Sequence, residues 1–221
     1  MKMDVSKTVR AWVRQPSGRH LDLLNPRPED WSNEDLAIGL SRTFRWGGHS
    51  TWPLPLSVAQ HSLTVLALVT NFSEHPLTHK QVLRELLYDS EEGLIGGFDA
   101  IKPLKPFLGK EFEVLCMRML STVFHRYDLT QWTNSEYACH KQVDNIAAAS
   151  EALYVAGWSS NEIREDLEIR ERPLAITGDP LVEIYGCDPW EPWPPEIAAQ
   201  RFLEVLETPE LAITRFRYEK P

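Results

Sequence analysis

Three stretches of this chain carry the same helix-start signal, and that repetition constrains the fold more than any other feature. Ser57-Val58-Ala59-Gln60, Thr78-His79-Lys80-Gln81 and Thr133-Asn134-Ser135-Glu136 each set a hydroxyl residue three positions before a Gln or Glu. In a capping box the hydroxyl accepts from the third helical N–H, and the Gln or Glu side chain accepts from the cap residue's own N–H. Apolar residues at helical spacing follow each signal. The pattern predicts helices over about 58–72, 79–89 and 134–157, with others near 33–42, 110–126 and 196–206.

The remaining segments are short. Residues 8–14 are β-tolerant, Pro16-Ser17-Gly18 is a turn and residues 21–24 follow, which predicts a small hairpin. Pro189-Trp190-Glu191-Pro192-Trp193-Pro194-Pro195 reads as a rigid loop with its tryptophans at the surface. The expected architecture is all-α, a helical bundle with a short N-terminal extended or hairpin segment and a Pro/Trp-rich C-terminal extension. Residues 1–160 are expected to form the main domain and 161–221 to pack on it.

Composition narrows the partners. Hydrophobic residues make up 43% of the 221, enough for a packed core. Asp and Glu outnumber Lys and Arg by 32 to 23, a formal charge of -9, which opposes binding to duplex nucleic acid. A small anionic ligand is not opposed, because a cation or a local basic cluster can invert the sign inside a cleft. Cys116, Cys139 and Cys187 form no CxxC pair, so neither a disulfide framework nor a cysteine zinc cage is expected. No stretch reads as a signal peptide or membrane span, and a cytoplasmic location is the expectation.

Three polar residues lie where apolar ones belong. His61 shares a helical face with Val65, Leu68, Val69 and Phe72. Asp89 follows Val82 and Leu86 at steps of four and three, and Asp144 aligns with Ala147, Ala148 and Glu151, one turn after His140. Burying a carboxylate costs several kcal/mol unless it is paired or bound to a cation. A shared divalent cation satisfies an imidazole and two carboxylates at once. Core hydrogen bonding among the three is the competing account.

At these residues the sequence resembles the HD-domain phosphohydrolases, in the branch of 5′-deoxynucleotidases and deoxynucleotide triphosphohydrolases. The resemblance runs over about residues 17–155. Its text is Ser17-Gly18-Arg19-His20-Leu21-Asp22-Leu23-Leu24-Asn25-Pro26, Leu40-Ser41-Arg42, Arg45-Trp46-Gly47-Gly48-His49 and Ser57-Val58-Ala59-Gln60-His61-Ser62. It continues with Leu86-Leu87-Tyr88-Asp89-Ser90-Glu91-Glu92, Lys102-Pro103-Leu104-Lys105 and Val143-Asp144.

The resemblance implies metal ligands at His61, Asp89 and Asp144 and a divalent cofactor such as Mn, Co, Mg, Zn or Fe. It implies Glu92 beside the nucleophilic water, and Arg45, Arg42 and Lys105 as phosphate-side cations. His49 lies in a Gly-Gly-His loop that either lines the pocket or caps a turn. The family's paired His is here Tyr88, which either binds as a phenolate, or plugs the pocket, or leaves a gap for water or a nearby His. Gly97 stands where the family has a second catalytic acid, and Asp99 can replace it if the loop carries an insertion. The expected function is metal-dependent hydrolysis of a nucleotide or similar small phosphate ester. The alternative is a catalytically degenerate relative that binds a nucleotide or a protein partner without turnover. No membrane partner is expected, and homodimerisation is left open.

Overall fold

The computed structural model describes residues 10–100 and 104–216. Residues 8 and 9 of the expected hairpin, and Lys102 and Pro103 of the quoted motif, lie outside them. The fold is all-α with one small hairpin, β1 (Trp12–Arg14) antiparallel to β2 (His20–Asp22). The principal helices are α1 (Asn33–Arg42), α2 (Val58–Phe72), α3 (His79–Leu86), α4 (Ser90–Leu94), α5 (Lys110–Arg126) and α6 (Asn134–Tyr154). Shorter α7 (Ser160–Glu165) and α8 (Leu181–Tyr185) lead to α9 (Pro195–Glu207) and α10 (Glu210–Arg215). Among the described residues no helix is long and apolar enough to cross a membrane.

Helix α2 is the centre of the bundle. Every residue from Val58 to Thr70 is buried. One side packs on α1 and α9, another on α3 and α6. Leu63, Leu66 and Ala67 join the main core with Leu36, Leu40, Leu86 and Phe202, while Val65, Leu68 and Val69 meet Val143, Ile146 and Ala147 of α6. A helix with no solvated face must be enclosed by its neighbours. The close crossing of α1 over α4 requires glycine: a Cβ on Gly39 would lie 2.6 Å from the Gly93 carbonyl oxygen.

The capping boxes at Thr78/Gln81 and Thr133/Glu136 form as expected, and Ser32/Asp35 and Ser159/Glu162 add two more. The first expected box does not form. Ser57 accepts from Gln60 N, but the Gln60 side chain turns away from the cap. Its Nε2 donates to the Glu191 carbonyl and its Oε1 accepts from Trp193 N, both at 2.8 Å. A buried amide with both ends satisfied by backbone is a strong tether.

That tether overturns the expectation of surface tryptophans. Trp190 and Trp193 are each 3% exposed. Trp190 stacks on Tyr154 and Arg201 lies over Trp193. Asp179 accepts from the backbone N–H of Leu181 and Trp190 and holds the loop from its other side. Phe202, Val205, Leu206, Ala212 and Phe216 belong to the main core.

At the N-terminus of α6, Glu136 accepts from Arg84, the cap Thr133 and Gln81. The Arg84 hydrogen bond leads the causes that pull its carboxyl down to about 2, from an ordinary 4.5. A lowered folded-state value means stability present above the unfolded pKa and lost as pH falls through the folded one. Acid titration from about pH 5 to pH 2 should therefore destabilise the wild type more than Glu136→Gln. With the Glu136 side chain 29% exposed, solvent screening leaves a difference of about 1 kcal/mol. Parallel pH–stability curves for the two proteins would show that the pair contributes nothing.

Candidate functional site

The site forms where α2 and α6 face the corner between α3 and α4. The expected single helix over 79–89 ends at Leu86, and α4 begins at Ser90. Tyr88 and Asp89 lie in the corner itself, with Asp89 as the residue preceding α4. The break turns both side chains toward the α2–α6 seam. A continuous helix would separate them by about 100° around its axis.

His61, Asp89 and Asp144, 28 and 55 residues apart in sequence, meet there. His61 Nε2 is 3.3 Å from Asp144 Oδ1 and 3.9 Å from Asp89 Oδ2. The hydroxyl of Tyr88 is 2.5 Å from His61 Nε2 and 3.2 Å from Asp144 Oδ1. Lys141, one turn earlier on α6, holds Asp144 Oδ2 at 2.8 Å.

The other ring nitrogen introduces a residue to which sequence reasoning gave no role. His61 Nδ1 lies 2.5 Å from Glu151 Oε1, and Glu151 Oε2 accepts from Arg45 Nε at 3.3 Å. Glu151 is 1% exposed. Its signal was legible: it shares the α6 face of Asp144, two turns on. Arg45 also pairs with Asp99 at 3.6 Å. The expected phosphate-side cation is thus held between two carboxylates. It precedes a left-handed run at Trp46, Gly47 and Gly48, with φ of 58°, 63° and 79°. For Trp46 this conformation costs about 1–2 kcal/mol.

Burial pushes the carboxyls of Asp89, Glu91 and Glu92 up, Glu91 to about 8, and charges on neighbouring Asp residues add to the push. Glu92 is 6% exposed, and its Oε2 has no hydrogen-bond partner. Burial and Arg45 pull the His61 imidazole down, but Glu151 and Asp144 outweigh them and bring it up to about 9. Burial raises the Tyr88 phenol well above its ordinary value. The Asp144 carboxyl is driven low, against burial, by its hydrogen bond and charge contact with His61.

Lys105 is exposed, but its charge reaches Asp89 and Glu91. Arg42 and His49 are exposed. Among the described residues, the cluster's hydrogen bonds and ion pairs include neither. His140 is 2% exposed, with Nδ1 2.8 Å from Glu85 and its ring against that of Tyr88.

The arrangement can do two things chemically. As a protonated ring, His61 can donate to Glu151 and toward Tyr88 and Asp144, closing the network without a cation. As a neutral ring donating from Nδ1 to Glu151, it presents a lone pair on Nε2 to the Asp pair. A buried carboxylate on the far nitrogen is the usual orienting partner of a ligating histidine. Among the described residues no three His, Cys, Asp or Glu side chains by themselves form a metal-holding group. Tyr88 adds a phenol oxygen to the cluster, which thus brings one imidazole nitrogen and three oxygen-bearing side chains together.

No family model matches the chain. An uncharacterised protein of Rhodobacter capsulatus is 37% identical to it over 154 residues, covering 69% of this chain and 77% of the relative.

Proposed function

The chain belongs to the same family as the Rhodobacter capsulatus protein, and we propose that it is an HD-type, cation-dependent phosphohydrolase of a nucleotide or similar small phosphate ester. The observation that carries the reading is the meeting of His61, Asp89 and Asp144 at 3.3–3.9 Å from three separate elements. That is the convergence which the resemblance demands and spacing along the chain cannot supply.

His61, Asp89 and Asp144 would hold the cation, with Tyr88 beside them. A divalent ion, when bound, supplies Lewis acidity toward the phosphoryl group and the attacking water. Glu151 fixes the His61 ring and aims Arg45. Glu92, buried beside Asp89 with one oxygen unpartnered, is the candidate proton acceptor for the water. Asp99 holds Arg45 near the pocket, and Lys105 supplies positive charge at its rim. Arg42 and His49 are assigned at most to the outer part of a bound substrate.

A second reading has its own observation. Tyr88 lies at hydrogen-bond distance from His61 Nε2, the nitrogen a cation needs. In that reading the cluster is a closed ion-pair network, and the protein binds a nucleotide without turning it over. Phosphate release from a nucleotide panel with Mn, Co, Mg, Zn or Fe(II), before and after chelation, separates the two. Chelator-sensitive release supports the hydrolase. A folded, metal-free protein that no added cation stabilises, and that releases no phosphate, removes it.

A further inference from the structure

We propose that the chain pairs with a second copy of itself through α5, the two helices antiparallel, with Phe107 of each copy seated in the cleft between the hairpin and α5 of the other. The proposal stands apart from the hydrolase reading and survives its failure.

The exposed apolar surface is concentrated around this one helix. Among the large apolar side chains exposed in the described residues, Phe107 at 84%, Trp12 at 58% and Met117 at 56% lead. Phe107 ends a short turn just ahead of α5, and Val114 and Met117 lie one turn apart on the helix. Trp12, on β1, lines a cleft together with Arg118 of α5. The inward side of α5 buries Met119, Val123 and Phe124, and the helix packs on α4. The side that carries Val114 and Met117 is left in solvent. Monomers seldom expose apolar residues so closely grouped, and aromatic, Met and Arg side chains are the types that interfaces gather.

The surface carries both a projection and a recess, and that selects a second copy as its occupant. The projection is Phe107, before the N-terminal end of α5. The recess is a cleft of about 760 Å³ beside Arg118, with Trp12 and Pro26 among its walls. Lys110 and Arg118 are about 12 Å apart along the helix, at about 1.5 Å per residue. A two-fold axis crossing α5 near Val114 sets the N-terminal end of one helix against the later turns of the other. Each Phe107 then meets the other copy's cleft. Such an interface is isologous, so knob meets hole twice and association stops at two. Charge agrees with shape. Lys105 and Lys110, both exposed, flank Phe107, and the receiving cleft carries Asp22 and Asp30. Arg118 is fixed at the cleft wall by donating to the Leu24 carbonyl, which leaves its guanidinium to meet the incoming ring as a cation against a π face. The formal charge of -9 opposes an anionic lipid surface as the occupant.

The test is sedimentation of the full chain over a dilution series. The expected result is a reversible equilibrium between monomer and dimer, with no larger species. Phe107→Glu and Met117→Glu should each weaken the dimer about tenfold or more, as loss of an interface anchor does. Both side chains are exposed, so both variants should fold, which matching melting temperatures check. Ile176→Glu, at a residue 55% exposed outside α5 and the hairpin, should leave the dimer as it is. For the placement, a Phe107→Cys, Pro26→Cys double variant should cross-link between chains on oxidation, beyond any cross-linking of the wild type. A wild type that stays monomeric at every concentration overturns the proposal. So does a dimer undiminished in both Glu variants, because it would use another face. Species larger than two, or a double variant that does not cross-link, overturn the antiparallel pairing. A monomer that sediments with phosphatidylserine vesicles also overturns it, and names lipid as the occupant.

Discussion

Replacing Glu151 with Ala should lower the unfolding free energy by about 3–5 kcal/mol, the usual cost of removing one partner from a buried ion pair. Glu151 is the acceptor for His61 on one oxygen and Arg45 on the other. Its loss leaves an imidazole that is 0% exposed and a guanidinium that is 14% exposed without their shared partner. Asp99, 3.6 Å from Arg45, compensates in part. Glu151→Gln keeps the volume and one carbonyl acceptor, so it should cost less than Ala. The measurement is a urea titration: the midpoint falls while the slope stays constant. A Glu151→Ala protein as stable as wild type would mean that the bridge between His61 and Arg45 contributes nothing.

The second large effect is a gain. Under the proposed HD-type reading, Tyr88→His installs the imidazole that the HD signature carries and should raise Mn or Co affinity about 10–100-fold, the scale on which changes around a metal site usually act. Imidazole is an ordinary ligand for these ions, whereas a neutral phenol with a pKa near 10 is a poor one. Titrating either ion should raise the melting temperature of Tyr88→His more than that of wild type. If the chain is a phosphohydrolase limited by cation occupancy, phosphate release rises with it. A variant that folds normally yet binds Mn and Co no better than wild type would show that Tyr88 does not stand in the missing ligand's place.

Most of the helical fold was legible because its signals are local. The expected ranges of α1, α2 and α5 match the observed ones, and Ser32 and Ser57 cap the first two. Thr78 and Thr133 cap as their spacing requires. The misreadings share one cause, a local rule overruled by a distant partner. Gln60 fits a capping box by spacing, but a buried loop 131 residues away offers its amide both a donor and an acceptor. Trp190 and Trp193 sit in a Pro-rich run that looks exposed, yet that same loop buries them. The helix expected over 79–89 breaks before Tyr88 because a corner, not a further turn, turns Tyr88 and Asp89 toward α6.

The candidate site divides in the same way. His61, Asp89 and Asp144 stand out in the sequence because a polar side chain on an apolar face is costly to bury and needs a reason. Glu151 lies on the same α6 face, but its task depends on α2 and the Arg45 loop arriving at opposite oxygens of one carboxylate. Arg42, Arg45, His49 and Lys105 all read as basic candidates in the sequence, yet packing encloses most of the Arg45 side chain and leaves the other three exposed. The amino-acid sequence alone determined where the longer helices run and which polar groups sit among apolar ones, since both follow from neighbours three and four positions away. Only the tertiary structure decided that an imidazole, two Asp carboxylates and a phenol come together, because their meeting depends on where α2, α6 and the α3–α4 corner cross.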